Sequence, residues 1–225
     1  MALKLLTSMA SRALLRDLAA RFEVATSQAV SVEAAGGVEV AKRVRGGEAA
    51  DIVVLARNSI EDLAQAGSLI GTSVTDIAKS GIAVAVSAGA QSPDVATEES
   101  LKRAVMAASS VSYSTGPSGV YLEKIFARWG VLEELRTRIV VPPPGVPVGS
   151  LVVSGAVQLG FQQLSELINL AGIQVLGPLP AAIQLTTIFS GAVACVSTRA
   201  QAASALLRYL ASPEVRDVKP RFGME

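Results

Sequence analysis

The sequence predicts an α/β fold whose mostly parallel central sheets carry helices on both faces. Three observations lead there. Short runs of Val, Ile and Leu alternate with segments whose apolar residues recur at helical spacing. The run Ile52-Val53-Val54-Leu55 is apolar throughout, as expected of a strand covered on both sides. Several strand-like runs end in small-residue turns that open directly into a helix. Half of the 225 residues are hydrophobic and only 4% are aromatic, so the core is built from aliphatic side chains.

Taken in order, residues 3–6 read as a first buried strand and 7–11 as a turn of small residues. A helix follows over 11–26, with Leu14, Leu18 and Phe22 on one face. Residues 30–33 form a second strand, broken by Gly36-Gly37, and a helix over 38–45 stops at Gly46-Gly47. A strand over 51–55 leads through Ala56-Arg57-Asn58-Ser59, as cap, into a helix over 60–66. This opening βαβαβα order is the pattern of a parallel sheet. Residues 81–87 form another strand, and a helix runs from Thr97-Glu98-Glu99 to about residue 108. A strand over 110–113 then feeds the turn Thr115-Gly116-Pro117-Ser118-Gly119. The next helix starts near Ser118, its N-cap, with Leu122, Ile125, Phe126 and Trp129 on one face. Later segments read as a strand over 138–141, a stiff turn over 142–145, a short helix over 148–154 and a strand over 159–163. A helical turn (164–169), strands at 173–176 and 186–197, a helix over 201–211 and a last helix from Ser212-Pro213-Glu214 complete the chain.

Composition excludes several classes of function. The net charge is +1, from 20 basic and 19 acidic residues, with no basic block, so nucleic acid is not an expected partner. The chain has no histidine, which removes Ser-His triads, histidine metal sites and imidazole acid–base catalysis. No cofactor or metal is expected, and the GxGxxG fingerprint is absent. The one cysteine, Cys195, lies in an apolar run and reads as a buried structural thiol. No run is long and apolar enough to insert in a membrane. No leader peptide is visible, so the expected place is the cytoplasm as written, or the periplasm if a leader was removed.

In parallel sheets ligands gather beyond the carboxyl ends of strands. The turns 7–11, 56–59 and 115–119 all qualify and are rich in small hydroxyl residues. Each aims backbone N–H groups at a possible anion. Arg57 is the only cation among them and reads equally as a carboxylate partner or a solvated surface residue. Gln162-Gln163, at a strand end, read equally as ligand donors or as amides that satisfy loop backbone. Tyr113, Tyr121 and Glu166 are candidate proton carriers, each with a commoner role in packing or capping.

The ordered segments Glu39–Glu48, Ser114–Lys124, Leu159–Gln163, Gly177–Pro180 and Arg221–Glu225 resemble the type 2 periplasmic solute-binding proteins, in the molybdate-binding-like branch. The resemblance implies two α/β lobes joined by two crossover strands, with the ligand in the cleft. Residues 1–81 and 188–225 would form one discontinuous lobe and residues 82–187 the other. It assigns ligand contacts to Ser8, Met9, Arg57, Asn58, Pro117, Ser118, Gly119, Gln162 and Gln163. A small anion is the implied partner, with an ABC permease if the protein is exported. Arg57 and the two glutamines depart from the neutral hydroxyl pocket of molybdate binders and favour a di- or tricarboxylate. A subgroup of the same fold resembles aconitate isomerase, so the alternative is a cytosolic isomerase of an unsaturated carboxylic acid.

Overall fold

The computed structural model describes residues 2–143 and 145–225. Pro144, in the predicted turn at 142–145, lies outside the described residues. The chain divides into two compact units, Met1–Ser80 with Thr187–Glu225, and Gly81–Thr186.

Unit 1 begins with β1 (Leu3–Ser8), a single 3-10 turn (Met9–Ser11) and α1 (Arg12–Thr26). β2 (Val30–Ala35), α2 (Gly37–Arg45), β3 (Ile52–Ala56) and α3 (Arg57–Gln65) follow. β1 pairs in parallel with both β2 and β3, in the register Ser8–Ala35 and Thr7–Val54. Along β1 and β3 successive side chains point to opposite faces. Leu3, Leu5, Ile52 and Val54 meet Leu14, Leu18 and Phe22 of α1 on one face. Leu6, Val53 and Leu55 meet Val40, Val44, Ile60 and Leu63 of α2 and α3 on the other. Each fully buried leucine contributes about 2 kcal/mol of hydrophobic transfer.

β4 (Thr75–Ser87) carries the chain from unit 1 into unit 2. Its first half is tied to the C-terminal segment: Lys79 and Glu225 exchange both backbone hydrogen bonds, and the Ser80 hydroxyl donates to Gly223 O at 2.8 Å. In unit 2 come α4 (Glu98–Ala107), β5 (Val111–Tyr113), α5 (Pro117–Arg128), α6 (Leu132–Leu135) and α7 (Val148–Val153). They are followed by β6 (Leu159–Gln163), α8 (Leu164–Leu167) and β7 (Ile173–Pro178). β5 and β6 are parallel, while β4 runs antiparallel to β6 and β7. The core joins Val84, Phe161 and Leu159 to Leu101, Val105, Leu122 and Phe126. The other face of β6 packs so closely on α7 that a Cβ at Gly160 would lie 2.5 Å from the Val152 side chain.

The chain re-enters unit 1 along β8 (Thr186–Val193), antiparallel to β3, and then forms α9 (Ala200–Leu210) and a 3-10 segment (Pro213–Phe222). The sheets are thus parallel except where the two crossover strands join them.

Several expectations are corrected. Residues 138–141 make only an isolated bridge, Val111 with Ile139, and Pro142 and Pro143, which follow, have no N–H with which to extend it. β8 ends at Val193, which leaves Cys195 in the following turn, exposed rather than buried. The crossover strand β4 starts at Thr75, six residues before the apolar run that marked it. α3 starts at Arg57, so Ala56 alone is the cap and Arg57 and Asn58 are helical. α5 is capped by Gly116 with Pro117 at its first position, and not by Ser118.

One buried charge closes unit 1. Asp51, 4% exposed, accepts hydrogen bonds from Lys4 N–H at 2.8 Å and the Ser197 hydroxyl at 2.7 Å, and pairs with Arg199. Burial pushes its carboxyl pKa up, but Ser197, Lys4 N–H and Arg199 together hold it below the ordinary value. Its contribution is therefore complete above about pH 4, the ordinary carboxyl range, and is lost as pH falls through the lowered folded value. Asp51→Ala is expected to destabilise the protein by about 2 kcal/mol in urea unfolding, since it removes the acceptor of the Lys4 N–H and the carboxylate partner of Arg199. Asp51→Asn should in addition flatten the loss of stability below pH 4.

Candidate functional site

Parallel pairing sets the carboxyl ends of β1, β2 and β3 side by side, and each is followed by a helix start. At β1, the hydroxyls of Thr7, Ser8 and Ser11 form a directed chain. Thr7 donates to Val54 O at 3.0 Å, so Ser11 must donate to Thr7, at 2.6 Å. Ser8, 8% exposed, then faces Ser11 across the longest link, 3.2 Å. The Ser8 proton is the one in this chain most easily turned to a guest. Met9 begins the 3-10 turn beside it.

At β2, α2 opens with Gly36 as cap and Gly37 at its first position, without a side-chain cap. A Cβ at Gly37 would sit 3.8 Å from that of Ser8, which places this helix start beside the serine. Gly36-Gly37 was absent from the residues the sequence singled out as ligand contacts. A glycine pair between a strand and an uncapped helix was the signal, the same one that marked the turn at 115–119.

At β3, Arg57 and Asn58 are exposed in the first turn of α3. Arg57 Nε donates to Glu61 at 2.9 Å and Nη1 to Asp76 at 2.7 Å. These carboxylates raise the guanidinium pKa, Glu61 first, and take up much of its directional bonding. Arg57 is left as a source of positive potential more than as an open fork.

Unit 2 repeats the arrangement at the parallel ends of β5 and β6. The turn after β5 is drawn so tight that a Cβ at Gly119 would lie 1.7 Å from Ser114 O. Only glycine fits there. Among the described residues no acceptor meets the backbone N–H of Thr115, Gly116 or Ser118. The Ser114 and Ser118 hydroxyls share one hydrogen bond at 2.8 Å, leaving one of their two protons to spare. Pro117, exposed at the first helical position, has no N–H to lose.

Gln162, 4% exposed, accepts from Gly149 N–H at 2.9 Å and donates to Glu166 at 2.7 Å. Its amide thus caps α7 and orients Glu166, with one N–H remaining. Gln163, 6% exposed, ends β6 beside it. The tyrosines are committed elsewhere. Tyr121 donates to Ile183 O at 3.0 Å. Tyr113 donates to Glu123 at 3.0 Å, and burial, then that carboxylate, pushes its pKa well above the ordinary phenol value. Tyr113 therefore stays protonated.

The helix starts differ in charge. α1, α3 and α5 have no acidic residue in the first turn, and α1 and α3 open with Arg12 and Arg57. Arginine there opposes the helix dipole, which favours negative charge at that place. α4 starts at the opposite end of the unit 2 sheet, after the antiparallel β4. It carries Glu98 and Glu99 and a Thr97–Ser100 capping box. At the candidate ends, α2 carries Glu39 and α8 carries Glu166 in the first turn, so the starts open to an anion are those of α1, α3 and α5.

Residues 3–225 match the family model of the bacterial extracellular solute-binding proteins. The chain belongs to that family. It is 36% identical over 208 residues to an aconitate isomerase of Pseudomonas sp., a match spanning 89% of this chain and 78% of that relative. Among solved structures it is similar to the periplasmic molybdate-binding protein of Azotobacter vinelandii, at 22% identity and a TM-score of 0.82, covering 99% and 98% of the two chains. It is also similar to a tungstate-binding protein of Desulfovibrio alaskensis, at 15% identity and a TM-score of 0.69, covering 96% and 92%. The fold is that of the type 2 periplasmic binding proteins. Among the described residues no helix is long and apolar enough to cross a membrane.

The turn after β5 offers a direct check. Gly119→Ala is expected to lower stability by about 3 kcal/mol or to remodel the turn, because the clash is with backbone. Gly116→Ala, whose Cβ would meet only the Ser114 hydroxyl at 4.0 Å, should stay within about 0.5 kcal/mol of the parent in thermal melts.

Proposed function

We propose that this chain binds a small organic polyanion of the di- or tricarboxylate class at its strand-end turns. The observation that carries the reading is the pair of helix starts without acid or side-chain cap at the carboxyl ends of β3 and β5. In each, backbone N–H groups stand where a carboxylate can replace water without reorganising the backbone. In unit 1 Ser8 adds a hydroxyl proton and Arg12 and Arg57 add positive potential; in unit 2 the Ser114–Ser118 pair adds one hydroxyl proton. The carboxylate class, over a tetrahedral oxyanion, is supported by the aconitate isomerase relative. An ABC permease is the partner this reading calls for if the protein works outside the cytoplasm.

A second reading, isomerisation of an unsaturated tricarboxylic acid, is favoured by that relative and by Glu166. Shifting a double bond along three carbons requires one C–H proton to leave as another C–H bond forms at the far carbon. A carboxylate can take the first proton and return it. Histidine is absent from the sequence and both tyrosines are occupied, so Glu166, oriented by Gln162, is the residue of this chain suited to the task. A cytoplasmic location accompanies this reading.

Titration calorimetry with trans-aconitate, citrate and molybdate tests the first reading. The tricarboxylates are expected to bind, and Ser8→Ala to weaken them roughly tenfold, the worth of one charge-assisted hydrogen bond. Heat from molybdate alone would overturn it. Ultraviolet absorbance of trans-aconitate tests the second. Turnover is expected, with Glu166→Gln lowering kcat by about a hundredfold or more while binding persists. A flat trace from the parent protein, with binding intact, leaves the protein a binder.

A further inference from the structure

Unit 2 contains a cavity of about 380 Å³ on the flank of the turn after β5, bounded by α5, α6 and the extended segment through Ile139. That volume suits a small molecule. Its lining divides by chemistry. Val120, Leu132 and Ile139 make an aliphatic wall, and Tyr113, Glu123 and Arg136 make a polar one. Val120 is 51% exposed, a large hydrophobic side chain with little of its own to cover it.

The polar wall is built. Tyr113 is 8% exposed and its hydroxyl is spent on Glu123 Oε1, which fixes that carboxylate and leaves its other oxygen to accept. Arg136 donates through Nε to Glu133 at 2.8 Å, an exposed pair that keeps the fork in place and leaves its terminal nitrogens to donate. Arg136 feels the charge of Glu123 and stands near Tyr113. Glu123 and Arg136, exposed and of opposite charge, line one cavity with the aliphatic wall, and together they match a guest of the same pattern. Such a guest has an ammonium group, a carboxylate and a branched hydrocarbon tail.

We propose that this cavity is a binding site for a small aliphatic α-amino acid, with its ammonium on Glu123, its carboxylate on Arg136 and its side chain against Val120, Leu132 and Ile139. Ser114, Thr115 and Gly119 line the same cavity and also form the anion-receptive turn. A guest here therefore shares those three residues with that turn. The inference stands independently of the carboxylate reading, because none of the three polar groups belongs to the strand-end set.

L-leucine is the probe. Calorimetry on the full chain, with and without saturating trans-aconitate, is expected to show leucine binding in both cases. Glu123→Gln keeps an acceptor for Tyr113 but removes the charge, and should weaken leucine roughly tenfold or more while trans-aconitate binding stays within about twofold. Arg136→Gln should do the same, and the analogues isopentylamine and 4-methylpentanoate, each lacking one charged group, should both bind more weakly than leucine. The proposal is overturned if leucine gives no heat, if trans-aconitate displaces it competitively, or if its affinity survives both substitutions. A protein that binds leucine but no tricarboxylate would uphold this site and sink the carboxylate reading.

Discussion

Parallel strand pairing is the constraint from which the candidate site follows. When β1, β2 and β3 run the same way, the chain must leave each at the same end, and the helix that returns it begins there. The first N–H groups of those helices have no partner within the helix. They are a consequence of topology before any side chain is chosen. The sequence then decides which of them it satisfies internally. Thr97 and Ser100 satisfy α4, whereas glycine, proline and alanine leave α2, α5 and α3 open. Selected helix starts are thus left without a side-chain cap.

The second layer is the use of side chains to hold side chains. Gln162 spends its amide on Gly149 N–H and Glu166, and Thr7 spends its hydroxyl on Val54 O. Neither is placed by these bonds to touch a guest; each fixes a neighbour that can. Such buried, nearly satisfied networks restrict geometry more than they add stability. Asp51 does the same for the frame, joining β1, the approach to β3 and the start of α9 through one carboxylate.

Much of this was legible in the residues. The alternation of apolar runs with helical periodicity located β1, β3, β6 and α1, because burial on both faces of a sheet leaves a strong compositional trace. The turn at 115–119 was legible because small residues there have a steric cause, the close approach of Ser114 O to Gly119. Other features had no local trace. The ion pairs of Arg57 depend on Asp76, nineteen residues away on the crossover strand. The strand expected at 138–141 has the right composition, yet only the single bridge of Ile139 to Val111 forms. The exposure of Cys195 follows from where β8 stops, a matter of two residues.

The discontinuity of unit 1 bears on how the molecule is made. Residues 81–186 are contiguous and can condense as soon as they leave the ribosome. The earlier residues cannot finish their sheet, because the partner of β3 on its open edge, β8, and the covering helix α9 are synthesised last. Until then Ile52 and Val54 lack part of their cover, and β3 presents an unpaired edge to other chains. The interval between translation of Ala56 and of Val193 is thus when the nascent chain is most in need of a chaperone, and slow codons within it would lengthen the exposure.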